Sequence, residues 1–282
     1  MNQLSVQSVR ITKVNEISDQ LNDDIIVVEE PLEIRLGYGP MEMRDETNVS
    51  ITMRTPGNDF ELATGFLFTE GIIKSYEDIL SVKYCTNHQK VAQQYNIVRV
   101  ELRPDIEFEA SSFNRNFYMT SACGICGRAS LDAIAIHFSK PDLDDKLKVN
   151  KEIIFTLSEK LKHKQTIFNN TGGIHAAALF ELNGELLLTM EDVGRHNALD
   201  KLIGSLLSLN KLNIAKEAVL FLSGRASFEL MQKATMAGIK IVCAVGAPSS
   251  LAVNTAEEFG ITLIGFLRTG RFNIYSHPFR IL

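Results

Sequence analysis

The first third of the chain is written in short alternations of apolar and polar residues. Residues 8–14, 24–36 and 48–54 repeat with a period of two, the pattern of strands that bury one face. Residues 59–71 change to helical spacing, with Phe60, Leu62, Ala63, Phe66 and Leu67 on one side, Asn58 or Asp59 as the opening cap and Gly71 as the stop. Alternation returns over 95–102. The polar run 109–116 then marks a boundary, which predicts a β-rich N-terminal domain over residues 1–115 and a second domain over 116–282.

Past that boundary the periods lengthen. Residues 128–138 carry Leu131, Ala133, Ile134, Ala135 and Phe138 and predict a buried helix, and 150–161 predicts a second. Two apolar runs flank Asn183-Gly184, a dipeptide suited to tight turns, so 174–190 reads as a hairpin. An apolar run, a loop of small and charged residues and an amphipathic helix then follow one another three times. The runs are 186–190, 218–222 and 239–245, and 261–266 supplies a last strand. This alternation predicts an α/β domain (α+β for the whole chain) with a largely parallel sheet covered by helices, its loops gathered along one edge where a ligand would sit.

Composition narrows the classes. With 282 residues, 45% of them hydrophobic, the chain can bury a substantial core. The formal charge of -5, from 29 basic and 34 acidic residues, supplies no overall positive field, so nucleic acid is not expected as a partner. No basic start followed by an apolar run is visible, and no stretch approaches the roughly 18 apolar residues of a spanning helix. A cytoplasmic protein without membrane insertion is the expectation, and its four cysteines are expected to be reduced.

Two of those cysteines carry chemistry. Cys123 and Cys126 stand three apart between glycines, beside Arg128 and just ahead of a predicted helix. A helix start and a neighbouring cation both favour the nucleophilic thiolate. Zinc is the competing use of such a pair, but four ligands are needed and no second pair lies nearby. Cys85 with His88 reads as surface and Cys243 as core packing, so no structural metal is expected. Zinc deaminases place a catalytic glutamate in a His-x-Glu segment; the nearest counterpart, His175-Ala176-Ala177, has alanine there. Deamination is disfavoured.

Three loops follow predicted strands: 191–197 with Arg195 and His196, 223–227, and 246–250. Together they suit a phosphate or a polar heterocycle bound through backbone donors and arginine, although each alone also fits a helix-capping network. Phe266, Leu267, Arg268, Thr269, Gly270 and Arg271 add two cations after the last strand, a positive lining for a diphosphate. His88, His137, His163 and His277 have no neighbours that suggest more than surface or packing roles.

The segments 63–71, 119–128, 171–177, 191–201, 223–227 and 265–271 together resemble the FdhD/NarQ family of formate dehydrogenase accessory proteins, and the resemblance covers most of the chain. It matches poorly over the first forty residues, and nothing functional is carried over there. It implies a cytidine deaminase-like three-layer α/β/α second domain, and a sulfurtransferase that accepts a persulfide from a cysteine desulfurase. The sulfur would pass to the molybdenum bis(molybdopterin guanine dinucleotide) cofactor before insertion into formate dehydrogenase. Cys123 would carry the persulfide and Cys126 would assist or resolve it. Residues 266–271 would contact the cofactor, with a guanine nucleotide such as GDP as a partial ligand, and Arg195 and His196 are added to that set from the loop pattern. A homodimer is also implied. Two other uses of the same residues stay open: dithiol/disulfide exchange, and a non-catalytic cofactor carrier or chaperone that needs the arginine loops but not the cysteines.

Overall fold

The computed structural model describes residues 4–86, 95–109 and 146–282. β1 (Val6–Val14) and β2 (Asp19–Val27) form an antiparallel ribbon, largely exposed, whose turn is fixed by Asn15 Oδ1 accepting from Ile17 N at 2.9 Å and Ser18 N at 3.0 Å. β3 (Glu30–Tyr38), β4 (Asp45–Arg54), β5 (Ile79–Tyr84) and β6 (Ile97–Leu102) make a second sheet in the order β4-β3-β6-β5. The β3/β6 pair is parallel and the other two are antiparallel. The alternating run 24–36 is therefore not one strand. It breaks at Val28 and Glu29, because its first part pairs with β1 and its second with β4 and β6. Alternation sets the buried face of β3: Leu32, Ile34 and Leu36 have no exposed surface.

Helix α1 (Asp59–Thr69) follows, as its spacing predicts, but its start is not capped by a side chain. Asn58 adopts a left-handed conformation (φ 56°), and Asp59 is drawn instead into a fully buried ion pair with Arg54, 2.9 Å between Nη2 and Oδ2.

The larger sheet has the order β12-β11-β10-β9-β7-β8, built from β7 (His175–Phe180), β8 (Leu186–Asp192), β9 (Val219–Leu222), β10 (Ile241–Ala244), β11 (Thr262–Arg268) and β12 (Arg271–Ser276). Only β9, β10 and β11 run parallel; every other neighbouring pair is antiparallel. The expectation of a largely parallel sheet holds for the centre and fails at both flanks, where hairpins return the chain beside itself. In the β7/β8 turn Gly184 N donates to Glu181 O at 2.8 Å and only Gly184 (φ 82°) takes the left-handed conformation, so the loop has three residues, not two.

Helix α2 (Lys151–Lys162) covers one face of this sheet, with Ile154, Leu157 and Leu161 packed on Phe180, Phe221 and Ile264. The short α3 (Thr166–Thr171) follows it. The other face carries α4 (Arg195–Ser208), the single turn α5 (Leu212–Ala215), α6 (Phe228–Met236) and α7 (Ser250–Glu258). Helices therefore lie on both faces of the sheet. The core on the α4 side runs on without a break through α1 into the four-stranded sheet, joining Leu202 and Leu206 to Leu62, Leu67 and Leu36. The boundary expected near residues 115 and 116 lies outside the described residues.

Two features weld this junction. Gly65 of α1 and Gly204 of α4 face each other so closely that the helix backbones touch. Beside them, Asp200 accepts from Thr69 Oγ1 at 2.8 Å and pairs with Lys233 of α6 at 3.0 Å. Burial pushes the Asp200 carboxyl upward and the Lys233 ammonium opposes it.

Candidate functional site

Parallel β9, β10 and β11 bring the loops that follow them to one edge, and the antiparallel neighbours deliver the end of β8 and the start of β7 to the same edge. Backbone bonds stitch these segments together: Ser223 N to Ala176 O at 3.0 Å, Gly246 N to Gly224 O at 2.9 Å, and Phe266 N to Gly246 O at 3.1 Å. Gly246 is needed for this approach, since a Cβ there would stand 2.9 Å from Arg225 Cα.

The 191–197 segment divides its labour in a way its sequence does not announce. Asp192 is fully buried. Its Oδ1 accepts from Gly194 N at 2.8 Å and Asn197 Nδ2 at 3.1 Å; its Oδ2 accepts from Thr55 N at 3.1 Å and pairs with Lys201 Nζ at 2.7 Å. Asn197 donates to Met53 O at 2.8 Å and Lys201 to Thr55 O at 2.8 Å, so this part of the motif is clamped onto the end of β4. Glu191 accepts from the N–H groups of Ile167 and Phe168 and caps α3. Arg195 and His196 remain half-buried toward the loops. His196 Nε2 lies 3.1 Å from Ser227 Oγ and 3.5 Å from Glu229, and its hydrogen bond holds the Glu229 carboxyl down at about 2. Arg195 Nε is buried without a hydrogen-bond partner among the described residues.

Along the 266–271 stretch, Phe266 is exposed in a left-handed conformation (φ 54°), Leu267 is buried, and Thr269 and Gly270 turn the chain into β12. Arg268 and Arg271 sit opposite each other across this hairpin. Arg268 donates to Val245 O at 2.7 Å and Leu267 O at 2.8 Å, whereas the Arg271 guanidinium makes no hydrogen bond or ion pair among the described residues. Both border a cavity of about 300 Å³ with Phe266, Phe272 and Asn273, where an anion would meet two guanidinium groups.

A larger cleft, about 500 Å³, opens at the same edge on the α2 side. Its polar lining includes Gln165, His175, Ser223 and Lys162. Ser223 Oγ accepts from Ala176 N at 2.8 Å and lies 3.4 Å from His175 Nδ1. Burial, and then the nearby Arg195 charge, lower the His175 pKa from its ordinary value, so the imidazole stays neutral. Sequence reasoning gave His175 no role and passed over Gln165; the only signal was the Gly172-Gly173 pair that leads into β7.

Cys123 and Cys126 lie outside the described residues, as do His88, His137 and the helix expected over 128–138. Cys85 is partly exposed, and Cys243 is buried in β10, where burial pushes its thiol pKa upward. No helix among the described residues is long and apolar enough to cross a membrane.

The model of the FdhD/NarQ family matches residues 27–282. The chain is 46% identical to the sulfur carrier protein FdhD of Mycolicibacterium paratuberculosis over 96% of this chain and 97% of that protein. It is 43% identical to the protein of the same name from Sulfurisphaera tokodaii, over 99% and 100%. In fold it resembles a crystal structure from Desulfotalea psychrophila, described as that of a candidate formate dehydrogenase accessory protein, with a TM-score of 0.72 at 23% identity, over 99% of this chain and 100% of the other.

Proposed function

This chain belongs to the FdhD/NarQ family, and on that premise we propose that it is a sulfur carrier that serves formate dehydrogenase. The observation that carries the reading is the near full-length likeness to proteins named as sulfur carriers, at 46% and 43% identity. The cysteine pair supplies the chemistry. The Cys123 thiolate attacks the outer sulfur of a persulfide on a cysteine desulfurase; that S–S bond breaks, the desulfurase thiolate leaves, and Cys123 becomes the persulfide.

The recipient is the molybdenum centre of the bis(molybdopterin guanine dinucleotide) cofactor. Attack by the Cys126 thiolate on the inner sulfur of the Cys123 persulfide forms a Cys123–Cys126 disulfide and expels the outer sulfur as sulfide, the two thiolates supplying its electrons. A dithiol reductant then restores the pair. The cofactor's diphosphates lie along the loop edge, where Arg268, Arg271 and Phe266 border the smaller cavity and Arg195 and His196 stand on the neighbouring loop. The protein acts in the cytoplasm as a homodimer.

Separate variants test the two halves of this reading in one assay that couples a desulfurase and cofactor to formate dehydrogenase activation. Cys123→Ala retains cofactor binding and loses activation by a factor on the order of 100 or more. Arg271→Ala takes up sulfur normally and binds cofactor about tenfold more weakly. Full activation by Cys123→Ala would instead identify a non-catalytic cofactor carrier.

A further inference from the structure

We propose that the β1/β2 ribbon is an arm that clasps a second copy of this chain, with its apolar face against the partner subunit and its acidic turn on the basic end of the partner subunit's α2. The inference rests on the homodimer of the sulfur-carrier reading and names the surface that forms it.

The ribbon is long and poorly supported. Nine cross-strand pairs run from Val6 and Val27 to Val14 and Asp19, a span of about 25 Å at the usual rise of a strand. Its base is tied down: Val28 N donates to Ser5 O at 2.9 Å, Ser5 Oγ donates to Pro56 O at 3.0 Å, and β2 rests on α3. Every residue of β2 from Asp19 to Ile26 is nevertheless exposed. A two-stranded ribbon on its own is marginal in water, because neither face is covered.

The exposed positions are apolar where solvent favours polar groups. Val14 is 70% exposed, Leu21 71%, Ile25 42% and Ile17, in the turn, 95%. The register sets Val14, Leu21 and Ile25 on one face, together with Arg10 and Asp23, whose charged groups lie 3.9 Å apart. An apolar stripe left open in this way marks a protein contact.

Charge selects the occupant. Residues 4–28 carry Glu16, Asp19, Asp23 and Asp24 against Arg10 and Lys13, and Glu16 and Asp19 stand at the turn. Residues 160–164 carry three lysines, His163 and no acid; all four of these side chains belong to exposed residues, and Lys164 makes no ion pair among the described residues. This basic end of α2 immediately precedes α3, on which the ribbon rests. Among the described residues no ion pair joins it to the acids of the ribbon within one chain. A two-fold axis that lays two arms side by side in opposite directions brings each acidic turn to the other's basic end, so the same contact forms twice.

The test follows the full chain by sedimentation velocity, with cooperative thermal unfolding as the check that each variant folds. A dimer is expected, weakened about thirtyfold or more by Leu21→Asp with Ile25→Asp. Asp19→Lys and Lys164→Glu each weaken it several-fold by placing like charges at both contacts. Mixing these two single variants decides the matter: a mixed dimer has opposite charges at both contacts and should form in preference to either homodimer. A dimer indifferent to the ribbon substitutions, or random mixing of the two charge variants, overturns the proposal and leaves the homodimer standing. A wild-type chain that stays monomeric at about 100 μM overturns both. Sulfur gain on Cys123 is measured separately, so neither failure touches the sulfur-carrier reading itself.

Discussion

Gly65→Ala lowers the stability of the protein by about 3 kcal/mol or more, with an unfolding temperature lower by on the order of 10 °C. A Cβ at Gly65 would stand 1.9 Å from the Asp200 carbonyl oxygen and 2.9 Å from Gly204 N; one at Gly204 would stand 1.9 Å from the Glu61 carbonyl oxygen. The atoms it meets are backbone, so no side chain can rotate aside and the helices must separate. Separation loosens Leu62 and Leu67 from Leu202 and Leu206, which form a common core across the junction. It also shifts the start of α4, where Arg195 and His196 stand. Urea denaturation of Gly65→Ala and Gly204→Ala measures the effect, and a loss below about 1 kcal/mol in both would contradict the close crossing.

The second large effect is expected at Asp192. Its carboxylate gathers four donors from two loops and α4, and it pairs with Lys201, itself only 2% exposed by its side chain. Asp192→Ala leaves that ammonium buried without its counter-ion and costs about 3–5 kcal/mol. Adding Lys201→Met removes the stranded charge and recovers part of the loss, because the penalty lies mainly in the unpaired ion. The double variant measured by the same denaturation should therefore be more stable than the sum of the single changes implies. Strict additivity would show that the pair does not hold β4 to the 191–197 loop.

The reason Asp192 could not be read as a clamp from its sequence is instructive. In the chain it stands among Glu191, Gly194, Arg195, His196 and Asn197, a mixture that equally suits anion binding, and the distant partners, Thr55 for Asp192 and Thr52 and Met53 for Asn197, lie about 140 residues earlier. Local pattern carries periodicity and turn chemistry; it carries no information on which distant backbone donors will be orphaned. For the same reason the close approach of Gly65 and Gly204 is invisible, since each reads as an ordinary helical glycine. Gln165 is likewise a polar residue after a lysine-rich helix end until the cleft is assembled around it.

What the pattern did carry was local. The spacing of Leu62, Ala63 and Leu67 placed α1 to within two residues of its end, and the repeated run-loop-helix units placed β9, β10 and β11 with their loops at one edge. The antiparallel β12 and β5 escaped although both alternate, Phe272 and Ile274 about Asn273 and Leu80, Val82 and Tyr84 about Ser81 and Lys83, because each is only six residues long and largely exposed or half-buried. Both are edge strands, whose exposed positions need no hydrophobic pattern. The family likeness rested on ordered motifs spread over most of the chain, which is why it was legible without any of this geometry.

The central claim is that Cys123 carries sulfur. Reduced protein incubated with a cysteine desulfurase and cysteine, then analysed by intact mass and peptide mapping, should gain one sulfur atom on Cys123, sensitive to reductant and absent from Cys123→Ala. No added sulfur on either Cys123 or Cys126 with an active desulfurase would contradict it.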